Sequence, residues 1–226
     1  MIDLGGEARD RRAVVKNGLV LGSLLAVPGA VAAQSITAEA MRSLPPSPVP
    51  AAPVTSSKVV RPELLRRALA AVERHGARVK RDRMAIVDFA APSSQARFHF
   101  VDLASGKSTS LLVSHGSGSD PAHTGWLKRF SNQEGSNASS EGAFLTADYY
   151  VGKHGRSQRL IGLDATNCNA LQRAIVVHAA WYANREILKT RPVLGRSQGC
   201  FAVGERELSE VFARLGEGRM IYAAKV

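Results

Sequence analysis

The sequence predicts a β-rich α+β domain, a sandwich or half-barrel with a few peripheral helices. Seven short runs have the composition and alternation of strands, whereas only three segments have helical features. With 226 residues, 45% of them hydrophobic, the chain has room for one folded domain of ordinary composition plus extensions. Many short strands with few helices are typical of sheets packed into a sandwich or half-barrel.

The first predicted element is a helix. Pro62 opens it, at a position where the missing N–H of proline costs little, and Gly76 ends it. Apolar residues at helical spacing share one face: Leu65, Ala68, Leu69 and Val72. We expect this face to pack on the rest of the domain.

Strand-type patterns follow from residue 84 onwards. The predicted strands are residues 84–90, 97–103, 108–113, 143–151, 159–163, 174–179 and 219–223. Residues 104–107 (Ala-Ser-Gly-Lys) are predicted to be the hairpin connection between the second and third strands. A short helix is predicted to begin near Asn169, and another is predicted over residues 205–215.

One long segment between the strands has no periodic pattern. Residues 114–141 are rich in Gly, Ser, Asn and His and contain few apolar residues. A structureless loop of this length inside a compact domain more often serves a function than merely connects two elements. The sequence therefore predicts that this loop contributes to a functional site.

The N-terminal 33 residues predict an export signal. Arg11 and Arg12 are followed by an apolar stretch at 18–27 and by small residues at 30–33, which is the order of a secretory signal peptide. The arginine pair is twin-arginine-like, but Asp10 and Val14 depart from that pattern, so the general secretory route stays open. The predicted location of the mature protein is a periplasm, and a retained N-terminal anchor is the alternative.

Residues 34–60 are predicted to be a proline-rich linker. Five prolines fall within nine positions: Pro45, Pro46, Pro48, Pro50 and Pro53. Such a composition favours an extended spacer between the signal and the folded unit at 61–226, with a peptide ligand for an aromatic groove as the alternative.

The chain is strongly basic. Its formal charge is +11, and removal of residues 1–33, with four basic and three acidic side chains, leaves +10. This balance predicts weak, salt-dependent association with an anionic polymer or membrane surface. We find no basic stripe interleaved with stacking aromatic residues, so no nucleic-acid partner is predicted.

A cysteine and a histidine near the C-terminus are the candidate catalytic pair. Cys200 follows Gly199 in a tight polar loop, and His178 ends an apolar run that reads as a strand. A thiol attacks a carbonyl as the thiolate, so it needs a base and a positive environment. His178 can supply the base, and four cations between the two residues would favour the anion: Arg185, Lys189, Arg191 and Arg196. A buried cysteine and a core histidine are the structural alternative.

The loop around Cys200 adds a candidate oxyanion site. Gly199 allows the backbone to approach a substrate closely, and the N–H groups of Gly199 and Cys200 are predicted to bind a developing oxyanion. The chain has one further cysteine, Cys168. A disulfide between the two would silence the nucleophile, and we expect free thiols.

Several motifs in the second half of the chain together resemble those of a known family. Residues 114–203 resemble the YkuD-type L,D-transpeptidases of bacterial cell-wall synthesis, in particular the divergent branch of murein L,D-transpeptidase catalytic domains. The matching pieces are Ser114-His-Gly-Ser-Gly118, Phe130-Ser-Asn132, Ser139-Ser-Glu-Gly142, His154-Gly155, Arg159-Leu-Ile-Gly-Leu163, Ile175-Val-Val-His-Ala179 and Gly195-Arg-Ser-Gln-Gly-Cys200.

The resemblance implies a fold, a reaction and partners. The fold is a YkuD-like β-sandwich in which the cysteine lies in a cleft under a flap. The reaction is acyl transfer from a peptidoglycan stem peptide through a thioester, either as L,D-transpeptidation or as L,D-carboxypeptidase trimming. A carbapenem adduct on the cysteine is implied, and no cofactor or metal is expected. A non-catalytic, exported wall-binding module that keeps the fold is the alternative.

Seven residues are predicted to bind the substrate. The main family has a second histidine where this chain has Gln198, and often Arg or Asn where it has Ala202, so recognition of a substrate carboxylate is assigned to Arg196, with Arg191 or Arg159 as alternatives. His115 lies in a polar loop and is expected to be part of the site rather than the core, where it orients the substrate or the polar loop around the cysteine. The others are Gln198, Ser197, Asn132, Ser139 and Ser140, and for the last three capping of turns within the loop is the alternative role. Trp181 and Tyr182 are expected to pack in the core or in a flap.

Overall fold

The computed structural model describes residues 60–226. The predicted export signal and nearly all of the predicted linker lie outside the described residues, so the boundaries at 33 and 60 stay predictions. No helix within residues 60–226 has the length and apolar character needed to cross a membrane.

Within residues 60–226, eight strands form one continuous mixed sheet. The strands are β1 Arg83–Asp88, β2 Phe98–Asp102, β3 Ser108–Leu111, β4 Gly142–Gly152, β5 Gly155–Gly162, β6 Val176–Ala179, β7 Phe201–Val203 and β8 Met220–Ala224. Their order across the sheet is β3-β2-β1-β8-β4-β5-β6-β7, and of these neighbouring pairs only β1–β8 and β6–β7 are parallel. The predicted β-rich α+β class is confirmed, and the strands that were expected to form a sandwich hydrogen-bond into this single sheet.

Each face of the sheet is covered by one helix. Helix α1 (Pro62–Arg74) packs with the even-numbered residues of β1 and β8, such as Ile86 and Tyr222, in one apolar cluster. Helix α2 (Leu208–Leu215) packs in a second cluster with their odd-numbered residues, such as Val87 and Ile221. Because side chains alternate across a strand, the neighbouring strands β1 and β8 are buried on both faces.

The predicted helix near Asn169 does not form, and this prediction was wrong. The segment from Asp164 to Ala174 is a series of turns. Its asparagines bond to backbone elsewhere: Asn167 Nδ2 donates to Ala143 O (2.8 Å), and Asn169 Nδ2 donates to Asn132 O (3.1 Å). Such side-chain bonds compete with the regular helical ladder.

The other predicted elements are present with small shifts of their ends. Helix α1 ends at Arg74, two residues before Gly76, and α2 begins at Leu208 after a turn at 205–207. The pattern did not predict the short strand β7 or the 3-10 helices at Trp181–Ala183 and Arg185–Lys189. Residues 114–141 form the expected long connection, with one 3-10 turn at Ser117–Ser119.

Candidate active site

The sheet brings His178 and Cys200 together through the neighbouring strands β6 and β7. Val177 is in register with Phe201, so Cys200, which directly precedes β7, is placed beside Val176. His178 is two residues beyond Val176 and therefore projects from the same face as Cys200. Strand pairing alone thus turns a separation of 22 positions in the sequence into proximity on one surface.

Both side chains open onto a cleft of about 520 Å³. The cleft is lined by the long loop, the β4–β5 hairpin, the turns before β6 and the segment before β7. Its wall includes the charged or titratable residues Glu134, Tyr150, Lys153, His154, Arg173, Tyr182 and Arg196. A polar cleft with a thiol and an imidazole at one end is suited to nucleophilic chemistry on a polar substrate.

His178 is held with one ring nitrogen available as a base. Its side chain is buried, and Nδ1 lies 2.9 Å from the carbonyl oxygen of Ala179. A carbonyl can only accept, so Nδ1 carries the proton and Nε2 carries the lone pair. Burial lowers the pKa of His178 to about 4. The bond to Ala179 acts to raise this pKa, whereas the nearby His154 and Lys153 lower it further. His178 is therefore a neutral imidazole across the neutral pH range.

Cys200 is a protonated thiol in the resting site. Its exposed fraction is 9%, and Sγ donates to the carbonyl oxygen of Ala174 at 3.5 Å. Burial raises the pKa of the thiol above its usual range, although a backbone bond from Val176 and the charges of Lys153 and Arg173 act in the opposite direction. Within residues 60–226, no hydrogen bond joins Cys200 to His178. The pair is thus a neutral thiol and a neutral base, and the proton must move as the thiol attacks.

Three of the four cations predicted to favour the thiolate lie elsewhere. Arg185, Lys189 and Arg191 are exposed and do not line the cleft, because the 3-10 helix at 185–189 carries them to the surface. Arg196 does line the cleft, and its Nη1 donates to the carbonyl oxygens of Asp120 and Pro121, the latter at 3.0 Å. Arg196 therefore ties the segment before Cys200 to the long loop while it borders the cleft.

Arg173 is the cation that the sequence interpretation missed. Nη1 donates to Ser131 O (2.7 Å) and Ser140 Oγ (2.6 Å), while Nη2 donates to Ser136 Oγ (3.2 Å) and Ala138 O (2.6 Å). Four bonds pin the guanidinium to the long loop at the edge of the cleft, where its charge lowers the pKa of Cys200. In the sequence, its position directly before the apolar run 174–177 was the feature that could have indicated a place near Cys200 and His178.

Removal of the charge at position 173 is expected to make the Cys200 thiol less acidic. In a Cys168→Ser background, the pH midpoint for alkylation of Cys200 by iodoacetamide should rise by about one unit in Arg173→Gln and stay near the parent value in Arg173→Lys. Both replacements retain a donor for the loop, so the comparison isolates the charge. Equal midpoints in all three proteins would show that Arg173 has no electrostatic effect on the thiol.

Gly199 is required for the shape of the turn, and its predicted oxyanion role needs correction. Its φ is +113°, and a Cβ there would lie 2.8 Å from the carbonyl oxygen of Ala138. Its N–H donates to Ser197 Oγ at 3.1 Å, so it is not free for an oxyanion in this structure. Ser197 Oγ in turn donates to Cys200 O at 2.7 Å. Ser197 borders the cleft, but its hydroxyl holds the turn, whereas Gln198 is exposed along the cleft wall.

His115 is buried rather than exposed in the cleft, and its contacts are those of the second predicted role, orienting the polar loop around the cysteine. Its exposed fraction is 1%, Nδ1 accepts a hydrogen bond from Arg97 Nη2 (2.7 Å), and Nε2 lies 3.4 Å from Asp120 Oδ2. Arg97 is fully buried, and the ring of Phe89 makes an edge contact with that of His115, with 6.2 Å between the ring centroids. These contacts hold this part of the polar loop inside the core. The carbonyl of His115 accepts from Ser197 N (3.0 Å), so the residue supports the turn before Cys200.

The burial of His115 predicts a loss of stability in acid. Burial and the Arg97 charge lower the pKa of His115 from 6.5 to about 3, against the opposing effect of Asp120. Between these values the unfolded chain binds a proton that the folded protein does not bind, so the free energy of unfolding falls as pH falls. Denaturant unfolding should show that His115→Gln loses less stability than the parent between pH 6.5 and pH 4, by about 2–3 kcal/mol. Parallel pH curves would contradict the assignment.

Asn132, Ser139 and Ser140 do not line the cleft, so the structure does not bring them together with the other predicted substrate-binding residues. Ser139 is fully buried, and its hydroxyl accepts from Gly116 N (3.0 Å) and donates to Gly199 O (3.2 Å). The hydroxyl of Ser140 bonds to Ser131 and Arg173, and Asn132 bonds to the turn at 165–169. Their polar groups form hydrogen bonds that hold the long loop in place, a structural role like the turn capping given as the alternative.

The second cysteine and Trp181 lie at the surface, whereas Tyr182 packs against the small apolar cluster of Ala180, Ala183 and Ala202. Cys168 is exposed, Cys200 is buried, and neither forms a disulfide, as expected. Trp181 has an exposed fraction of 61%, so of the two predicted environments, core or flap, it does not occupy the core. Tyr182 borders the cleft, where Gly195 leaves room for its side chain.

The arrangement can be compared with known proteins. Residues 56–224 match the family model described as L,D-transpeptidase catalytic domain. No curated protein matches the chain in sequence.

Three solved structures are among those similar to the chain. An LD transpeptidase in complex with imipenem shares 12% identity over 63% of this chain and 59% of its own, with a TM-score of 0.39. An L,D-transpeptidase from Xylanimonas cellulosilytica shares 13% identity over 69% and 68%, with a TM-score of 0.38. The helical cell shape determining protein Pgp2 from Campylobacter jejuni shares 12% identity over 64% and 48%, with a TM-score of 0.40. The chain spans about three fifths of the length of the first of these proteins.

Proposed function

Because the chain belongs to the L,D-transpeptidase catalytic domain family, we propose that it is a cysteine acyltransferase acting on peptidoglycan stem peptides. The observation that supports this most is the opening of Cys200 and His178 onto one polar cleft. The Ala179 carbonyl fixes the tautomer in which Nε2 of His178 can accept a proton.

The proposed first half-reaction forms a thioester. Sγ of Cys200 attacks the carbonyl carbon of the third, diamino-acid residue of a donor stem peptide while the thiol proton moves to Nε2 of His178. The tetrahedral intermediate then collapses, the peptide bond to the terminal D-Ala breaks, and the imidazolium returns its proton to the departing amine. The products are free D-Ala and a donor peptide bound to Cys200.

The second half-reaction depends on the acceptor. An amine of a second stem peptide gives a new peptide bond and completes L,D-transpeptidation, whereas water gives a free carboxylate and completes L,D-carboxypeptidase trimming. In both cases His178 takes a proton from the acceptor and the thiol of Cys200 is regenerated.

The charges of the cleft suit an anionic peptide. Arg196 is the one of three predicted arginines that lines the cleft, and we assign it to a substrate carboxylate. Arg191 is exposed outside the cleft, and Arg159 is engaged by Asp148 and lies over Tyr150. The N–H of Cys200 is the oxyanion donor kept from the sequence prediction, because that of Gly199 is bonded to Ser197.

The same thiol is proposed to react with a carbapenem. The strained carbonyl of the β-lactam ring would acylate Cys200 and leave a thioester. The setting is proposed to be a periplasm, where the charge of +10 that remains after removal of residues 1–33 would favour weak contact with the anionic wall or membrane surface.

Defined muropeptides test this function. The purified chain without residues 1–33 is incubated with tetrapeptide muropeptides, and the products are identified by mass. Cross-linked dimers with release of D-Ala indicate transpeptidation, and tripeptides indicate trimming. Muropeptides that bind the protein but remain intact would favour the non-catalytic wall-binding module instead.

A further inference from the structure

The hairpin between β4 and β5 extends over the position of His178. The two strands pair as far as Gly152 opposite Gly155, whereas β5 pairs with β6 only from Ser157 onwards, in register with His178. Residues 153 and 154, at the tip, therefore project beyond the end of β6. This overhang brings the tip to the side of the cleft on which His178 lies.

The tip places a second imidazole on the face of the first. The ring centroids of His154 and His178 are 4.2 Å apart, and their planes differ by 19°, which is a parallel stack. His154 is exposed, while His178 has an exposed fraction of only 1%. One face of the His178 ring is thus covered by His154, and one edge is fixed by the Ala179 carbonyl.

We propose that His154 is a positioning residue for His178, fixing the plane of its imidazole and keeping water from its face. This role rests on the proposed function, because the orientation of His178 matters only if Nε2 accepts the proton of Cys200. Within residues 60–226, no hydrogen bond joins His154 to Cys200, and the contact of its ring is with His178. A flat ring at position 154 is the required property. Stacking fixes the plane of the His178 ring, and the bond to the Ala179 carbonyl fixes its rotation within that plane.

Charge limits the pH range over which the stack persists. Burial lowers the pKa of both histidines, with Lys153 contributing, so both rings are neutral near pH 7 and do not repel. In acid, two imidazolium rings at this separation would repel each other. Besides Lys153, the titratable and charged groups that border the same cleft are Glu134, Tyr150, Arg173, Tyr182, Arg196 and Cys200.

Two variants distinguish the effect of a flat ring at position 154 from the effect of its protonation. His154→Phe keeps a flat stacking surface, and His154→Ala removes it. For each protein, the protonation midpoint of the His178 ring is measured by NMR titration, and the rate of Cys200 acylation by a carbapenem is followed by intact mass from pH 4 to pH 8.

We expect acylation at pH 7 to fall about tenfold in His154→Ala and to stay within about threefold of the parent in His154→Phe. The protonation midpoint of His178 should rise by about one pH unit in His154→Ala, because water then reaches the face of its ring. The acid limb of the pH–rate profile should shift to higher pH by the same amount. A merely structural role would lower thermal stability without moving either midpoint.

Two results would overturn the proposal. One is an unchanged His178 midpoint in His154→Ala, and the other is a rate in His154→Phe as low as in His154→Ala. If the parent itself is not acylated, the proposed function fails, while the NMR midpoint still decides whether His154 controls the environment of His178.

Discussion

Cys200→Ala is expected to abolish turnover of defined muropeptides, by about four orders of magnitude or more. Cys200 is the one thiol that opens onto the cleft, and without it no thioester can form. Loss of a nucleophile removes the covalent path entirely and leaves only the small effect of binding. The measurement is the rate of D-Ala release at saturating substrate, with circular dichroism to show that the variant is folded.

The matched control is Cys168→Ser. Cys168 is exposed and its sulfur contacts Asn132 rather than the cleft, so this variant should turn over like the parent. Retention of muropeptide binding by Cys200→Ala is expected as well, because Arg196 and the cleft wall remain. Turnover that persists in Cys200→Ala would mean that another group performs the chemistry.

His178→Gln is expected to lower the rate of acylation by two to four orders of magnitude, the range for loss of a general base. The thiol of Cys200 is protonated at rest, because burial raises its pKa, so it depends on a base at the moment of attack. The pKa of His178, lowered to about 4, keeps its ring neutral and available above that pH. The parent rate should therefore be nearly level from pH 5 to pH 7 and fall in stronger acid.

His99→Gln provides the matched control for the loss of a histidine. His99 is also buried, but it lies on β2, bonds to Ser110 Oγ at 2.6 Å and does not border the cleft. The same chemical change there should leave acylation within about threefold of the parent, as for a site away from the chemistry. Near-normal acylation by His178→Gln would remove His178 from the mechanism.

The proximity of Cys200 and His178 could be predicted because local patterns determine their placement. An apolar run that ends in His178 predicts a buried strand, whereas the polar Gly-Cys turn did not show that Cys200 would be buried at the edge of the cleft. Their juxtaposition then needs only the pairing of β6 with β7. The short apolar runs of β1 and β8 likewise predicted strands, although they did not show that α1 and α2 cover opposite faces.

The residues that support the pair could not be predicted because their partners are distant in the chain. His115 reads as a loop residue until Arg97, 18 positions earlier, bonds to its ring inside the core. Arg173 reads as part of a helix until its four bonds to residues 131–140 are known. The hydroxyls of Ser139 and Ser140 have the chemistry of a peptide-binding site, and only the fold shows that the loop uses them itself.

Mapping of the covalent adduct tests the central claim most directly. The chain without residues 1–33 is incubated with a carbapenem, its intact mass is measured, and the modified peptide is identified after digestion. The account predicts one adduct per chain, located on Cys200, absent in Cys200→Ala and slowed in His178→Gln. An adduct on Cys168, or an unmodified Cys200 in a folded protein, would contradict it.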